Sequence, residues 1–323
     1  MGVSNRHILT QAPVIGALGR TAFAALRQKP GNGAAPVTPG PEFRTEIDPL
    51  PAALIRDYIR HIGGDPSAYR GIVPAHLFPQ WGFPLATRTL EGLPYPLLKV
   101  MNGGCRMRVN SQLPLGKKLQ VTARLESIDD DGRRVVLQQH VVTGTQEQPE
   151  AVVADFFAIV PLPKKLEKAA ASNGQGPSNG QGSSSGQGSG NGHAKKDKPR
   201  VPSNAREIGY WKLPANAGLD FAKLTGDFNP IHWIPAYAKA SGFRNVILHG
   251  FSTMARTVEG LNRGLFAGSI KNLTELDVRF TRPLVLPARV GLYVLDNSVF
   301  VGDAPGGPAY LVGSFNNENG EQP

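Results

Sequence analysis

The chain has 323 residues, 35 Lys+Arg against 25 Asp+Glu, a formal net charge of +10 and one cysteine. That length allows two ordinary domains or one large one, and a single cysteine excludes a disulfide framework and any cysteine-based zinc site, which favours an intracellular, cytoplasmic setting. The charge would point to nucleic acid if it sat on a folded face, but residues 1–41 carry +4, 42–163 carry 0, 164–200 carry +5 and 201–323 carry +1. The excess therefore lies on two segments of low-complexity or irregular character, and a nucleic-acid partner loses its main support.

Residues 1–41 contain four basic side chains and no acid. The charge-free run from His7 to Gly19 is too short to span a bilayer and is interrupted by Gln11 and Pro13. Ala22-Phe23-Ala24 resembles a cleavage site only loosely. An N-terminal extension packed on the next domain is the favoured reading over a targeting segment, with membrane-surface contact left open.

In residues 42–163, a helix is expected after His76 and should be irregular, since Pro79 and Pro84 interrupt the stretch to Leu90. Phe78, Trp81, Phe83 and Leu85 read as core. Strands are expected at Met101–Asn110, Lys118–Ile128, Arg133–Thr143 and Val152–Pro161, with a loop at Asp129–Arg133. Cys105 reads as buried and inert, and His140 has no partner in view. From Ala171 to Gly192 there is no charged side chain, only Gly, Ser, Asn, Gln, one Pro and Ala171. Such a segment cannot bury enough surface to offset its ordering entropy, so 164–200 reads as a flexible linker.

In residues 201–323, a long helix should begin at His249-Gly250, because Phe251, Met254, Ala255, Val258 and Leu261 fall on one apolar stripe. Strands follow at Glu275–Thr281, Ala288–Asp296 and Ala309–Asn316. The two halves repeat one another. Arg108–Val121 matches Arg279–Leu292 at an offset of 171, Val73–Phe78 matches Val246–Phe251 at 173, and Gly64-Asp65 matches Gly226-Asp227 at 162. Three blocks in fixed order indicate duplication, with 11 residues more after the second Gly-Asp. Helices followed by consecutive antiparallel strands define an α+β class.

The chemistry concentrates in Thr225-Gly226-Asp227-Phe228-Asn229-Pro230-Ile231-His232. Pro230 disfavours helix at Asn229 and lacks an amide proton, so the segment must turn. A turn can aim a carboxylate and an imidazole at one point, where together they could hold a water and move its proton. An isolated pattern of this kind would more simply be an Asx cap with a surface histidine. His249 reads first as a helix-entry packing residue, with substrate polarisation as the sharper alternative, and His76 reads the same way. No spacing suggests a metal site or a nucleophile elbow.

The segment resembles the signature of the MaoC-like, (R)-specific enoyl-CoA hydratase family (hydratase 2), which Thr225, Gly226, Asp227, Asn229, Pro230, Ile231 and His232 match, together with the downstream Gly242-Phe243 and His249-Gly250. Ile234 departs from it, where many members carry Asp or Asn. The resemblance implies a double hot dog, each unit a curved antiparallel sheet wrapped around one long helix. It divides the chain into an N-terminal extension (1–41), a degenerate non-catalytic unit (42–163), a linker (164–200) and a catalytic unit (201–323). It implies reversible hydration of a trans-2-enoyl-CoA to an (R)-3-hydroxyacyl-CoA, or dehydration of an acyl-carrier-protein substrate, with a non-catalytic thioester-binding module as the alternative of another class. Asp227 and His232 would hold the attacking water, Gly250 would bind the thioester oxygen through its amide, and Gly226 and Asn229 would support the turn. No cofactor or metal is implied, since CoA or phosphopantetheine is part of the substrate. The first unit lacks Asn-Pro-x-His and would serve structure or line an acyl chain; a homodimer or an internal pseudo-dimer is expected.

Overall fold

The structure, a computed structural model, describes residues 2–27, 36–162 and 198–317. The expected linker falls outside the described residues up to residue 197. Two helices open the chain, α1 (His7–Thr10) and α2 (Ala12–Arg27). The first unit then runs β1 (Phe43–Ile47), α3 (Ala52–Ile62), β2 (Ile72–Val73), α4 (Pro79–Arg88), β3 (Met101–Val109), β4 (Leu113–Pro114), β5 (Leu119–Asp130), β6 (Arg134–Gly144) and β7 (Val152–Pro161). The second runs β8 (Arg206–Leu213), α5 (Ala217–Thr225), α6 (Pro235–Ala240), α7 (Gly250–Gly264), β9 (Leu273–Phe280), β10 (Ala288–Leu295), β11 (Ser298–Gly302) and β12 (Ala309–Asn317).

Ten strands form one sheet in the order β1-β5-β6-β7-β3-β9-β12-β11-β10-β8. The order reads the same from both ends once β1 is matched to β8, β5 to β10, β6 to β11, β7 to β12 and β3 to β9. The sequence repeat is therefore a structural one, and the fold is the double hot dog. The two halves join through β3 and β9, which pair antiparallel with Arg106 opposite Asp277. These two residues differ by the repeat offset of 171, so each faces its own counterpart and the pseudo-twofold axis passes between them. Arg106 Nη2 donates to Asp277 Oδ2 at 2.6 Å.

Each half-sheet packs on its long helix. In α7 the apolar stripe is buried as its period requires, with Phe251, Met254, Ala255, Val258 and Leu261 in the main core. Phe78, which caps α4, joins the same core with Trp81 and Leu85 of the helix, and Phe83 packs against it, while Trp81 Nε1 donates to Thr143 Oγ1 at 3.0 Å.

Several elements differ from expectation. The helix after His76 is not broken twice. A 3₁₀ turn at Ala75–Leu77 ends there, Pro79 opens α4 at its first turn, and α4 continues through Pro84. Pro is tolerated at a helix start because the amide there has no intrahelical acceptor anyway. β5 extends to Asp130, so the loop shrinks to a tight turn in which Asp131 Oδ1 accepts from the Arg133 and Arg134 amides. His140 has a partner after all: its Nδ1 lies 2.8 Å from Asp155 Oδ1 on the neighbouring strand. Cys105 is a free, buried thiol, and burial pushes its pKa well up.

Residues 2–17 bridge the two units. Gln11 Nε2 donates to Leu224 O at 3.0 Å and accepts at Oε1 from Gln80 Nε2. The Val3 amide donates to Asp220, and His7 Nε2 lies 2.8 Å from Asp57 Oδ2. Among the described residues no helix is long and apolar enough to cross a membrane.

Candidate active site

α5 ends at Thr225 because Gly226 takes the left-handed conformation (φ +83°) that closes a helix at low cost. A side chain at this position would also meet Val14, with Val14 Cβ 2.6 Å from an ideal Cβ. The turn that follows is held by its own polar groups. The Asn229 amide donates to Asp227 Oδ1 at 3.3 Å, and Asn229 Oδ1 accepts from the Ile231 amide at 3.3 Å. Pro230–His232 is a single 3₁₀ turn with Asn229 as its cap. Gly218 lets this turn lie against α5, since a Cβ there would meet the His232 carbonyl oxygen at 2.1 Å.

Asp227, His232 and His249 come together, each offering a ligating or proton-carrying atom within 4.8 Å of the others. His232 Nδ1 donates to the Ile247 carbonyl at 2.8 Å. Burial holds the imidazole pKa below its usual value, partly opposed by Asp227. His232 is thus neutral at neutral pH, with its free Nε2 an acceptor. His249 Nε2 donates to the Asp227 carbonyl at 2.9 Å. Burial and His232 push its pKa down to about 3. The two rings stack with centroids 3.6 Å apart and 26° between planes, and Phe221 lies beneath His249 at 4.9 Å. Asp227 keeps about a fifth of its side chain exposed.

Although three such groups could in principle ligate a cation, near-parallel stacked imidazoles direct their in-plane lone pairs side by side rather than toward one ion. The arrangement fits a water held between a carboxylate and an imidazole better than a tetrahedral metal.

α7 begins at Gly250, with His249 in extended conformation just before it. The amides of Ser252 and Thr253 return to the His249 carbonyl; among the described residues the Gly250 amide has no acceptor. A Cβ at Gly250 would stand 2.7 Å from the Phe280 ring, so only glycine admits this close packing. A free amide at the positive end of a helix suits an oxygen that gains negative charge.

Asp227, His232, Gly250, Gly226 and Asn229 are therefore all placed at one locus. His249, expected first as a helix-entry packing residue, stacks on His232 and holds the Asp227 carbonyl through its Nε2. Gly218 and the Ile247 carbonyl act through backbone approach and leave no residue-type signal in the sequence. In the first unit the counterparts part company. Asp65 is exposed and caps its own turn through Ser67. His76 is buried against Tyr58, Tyr69 and Glu259.

The double hot dog with an acid and two histidines at the entry to one long helix defines the class. Residues 198–303, most of the second unit, match the family model described as MaoC like domain. Among curated proteins, 3-hydroxyacyl-thioester dehydratase X of Mycobacterium tuberculosis is 38% identical over 99 residues, 31% of this chain and 32% of that protein. 3-Hydroxyacyl-thioester dehydratase Y of the same organism is 26% identical over 193 residues, 57% of this chain and 58% of that one. The chain thus spans well under two thirds of the length of either relative. Among solved structures, HtdX of Mycobacterium tuberculosis superposes with a TM-score of 0.64 at 18% identity, covering 86% of this chain and all of that one.

Proposed function

We propose that the chain is a hydro-lyase that adds water reversibly across the trans-2 double bond of an enoyl thioester, giving the (R)-3-hydroxyacyl thioester. The convergence of Asp227 and His232 beside the unpaired Gly250 amide carries this reading. A water between the carboxylate and His232 Nε2 donates one O–H to each. Asp227 takes a proton as the water oxygen bonds to C3, and the thioester carbonyl becomes an enolate whose oxygen accepts from Gly250 N–H. The proton is then returned to C2, so H and OH are added and the protein is regenerated. Dehydration is the reverse. The C2=C3 π bond and one O–H bond are exchanged for a C3–O and a C2–H bond with no net change of oxidation state, so the step calls for no redox cofactor, and the CoA or phosphopantetheine arm is part of the substrate.

The names of the two curated relatives support the thioester class, and both are named for the dehydration direction. That observation favours, as a second reading, a dehydratase of 3-hydroxyacyl thioesters; parallel kinetics on CoA and carrier-protein thioesters show which handle it takes. The first unit is assigned a non-catalytic part in an internal pseudo-dimer. The test is loss of enoyl-CoA absorbance with the full chain, Asp227→Asn and His232→Gln. Activity lost in both variants is expected. Undiminished activity in both would reject the assignment, and binding without turnover in the unaltered chain would leave a thioester-binding module.

A further inference from the structure

Beside the apolar stripe of α7 runs a buried polar row that winds toward the stripe at its C-terminal end. His249, just before the helix, and Ser252, Arg256, Glu259 and Asn262 recur three or four residues apart, and all are more than nine-tenths buried. Six buried side-chain nitrogen or oxygen atoms among the described residues lack a hydrogen-bonding partner in the protein, and four lie here: His249 Nδ1, Ser252 Oγ, Arg256 Nε and Asn262 Oδ1. Buried polar atoms without protein partners are ordinarily satisfied by internal water. Their concentration on one stripe of one helix is not what scattered packing defects would give.

The stripe has an outlet at one end and the candidate site at the other. At its C-terminal end a cleft of about 410 Å³ is lined by Gly63, Gly64, Asp65, Glu259, Asn262 and Arg263, among others. Glu259 Oε1 accepts from Tyr69 at 2.5 Å, while Oε2 lies against Gly64, where a Cβ would stand only 2.6 Å from it, so glycine is what admits the carboxyl. Midway, Arg256 is a buried cation with no carboxylate within ion-pair distance among the described residues, where it hydrogen-bonds His61 Nε2 at 3.4 Å. A buried guanidinium so poorly matched by protein groups calls for solvent. At the N-terminal end stands His249, stacked on His232. Helical rise separates successive members by about 4.5–6 Å, a gap that one or two waters bridge.

We infer that these groups line a water file running along α7 from the Gly64–Glu259 cleft to the Asp227–His232 pair, and that it supplies and drains the water consumed or released there while an acyl thioester closes the other approach. Its catalytic significance rests on the function proposed above; its existence does not. The ligand is water itself, held by a donor at Arg256, acceptors at Asn262 Oδ1 and His249 Nδ1, and the Ser252 hydroxyl, which does either.

A crystal structure of the full chain at a resolution that orders internal water tests the file. Waters bonded to Ser252 Oγ, Arg256 Nε and Asn262 Oδ1 in unbroken sequence to His249 are expected; a dry stripe, or waters confined to the cleft, would overturn it. Its role is read from Asp65→Trp, which overhangs the mouth, and Asn262→Leu, which removes an acceptor. With a long-chain enoyl thioester each should lower kcat several-fold at unchanged KM, and with a short one neither should. Equal turnover on the long chain, in a variant whose structure shows the file interrupted, would overturn the role. Inactivity of the unaltered chain on every enoyl thioester, beside a hydrated stripe, would count against the proposed reaction and not against the file.

Discussion

The two Gly-Asp turns descend from one plan, and they have been completed in opposite ways. In the second unit the polar groups around the turn are left with unused capacity: a free Nε2 on His232, an unpartnered Nδ1 on His249 and an unpaired amide on Gly250. In the first unit that capacity is consumed. His76, which occupies the place of His249, has Tyr58 on one nitrogen and Tyr69 with Glu259 on the other. Asp65 is turned out to Ser67. Gly64 survives for a different reason than Gly226, since a Cβ at 64 would strike the Glu259 carboxyl at 2.6 Å. Saturated polar groups stabilise a fold, whereas unsaturated ones are what a substrate or its water can use.

The comparison breaks most sharply on activity. Asp227→Asn should lower turnover by about 10²–10⁴-fold, the usual range for a general base, while Asp65→Asn should leave it unchanged in the same enoyl-CoA assay. Equal effects would mean the first unit takes part in the chemistry. Stability should show the reverse order. His76→Leu takes a hydrogen-bonding partner from the buried Glu259, Tyr58 and Tyr69 and should cost about 1–3 kcal/mol in denaturant unfolding, as leaving a buried polar group unsatisfied does. His249→Leu removes a neutral ring that holds no ion pair, so it should cost less stability and more activity.

A graded effect is expected with pH. The pKa of His249 is about 3 in the folded chain against an ordinary 6.5, and that of His61 is also about 3, lowered by burial and by Arg256. Between those values the unfolded chain binds more protons than the folded one, so stability is full above pH 6.5 and is lost as pH falls toward 3. Each histidine contributes a slope of about 1.4 kcal/mol per pH unit within that window. Unfolding measured at several pH values should show the loss, and His249→Gln should reduce its slope by one histidine's share. An unchanged slope would show that His249 titrates normally.

How far the sequence could be read follows from what each feature is made of. The apolar stripe of α7, the strands and the residue types of the Asp227–His232 turn are written in periodicity and identity, and they lie where the pattern put them. β1 and β8 escaped because their half-exposed sequences mix charged with apolar residues (Phe43–Ile47 alternates intermediate and exposed), and β11 because five residues, Ser298–Gly302, are too few to set a period. Gly218 and Gly64 act by permitting close approach of a carbonyl or a carboxylate, which no local pattern reports. The Glu259–His76 pair joins residues 183 apart, and neither residue type at its own position announces a partner in the other unit.

The smallest effect lies on the pseudo-twofold axis. In a dimer of identical units the residue there would face its own copy, and a charge would meet its like. Duplication frees the two positions to differ, and here Arg106 meets Asp277, with Glu275 Oε1 also 3.5 Å from the guanidinium. Both side chains are partly solvated, Arg106 to nearly half of its surface, so the pair should contribute only about 0.2–1 kcal/mol. Arg106→Asp sets two carboxylates across the central strand pair, and should cost about that much plus the repulsion of directly opposed like charges, itself up to about 1 kcal/mol. Adding Asp277→Arg restores opposite charges on exchanged strands and should recover most of the loss in a double-mutant cycle at low salt. Failure of the exchange to recover stability would show that the two strands are no longer equivalent in their surroundings, and that the halves have diverged at the axis itself as they have at their turns.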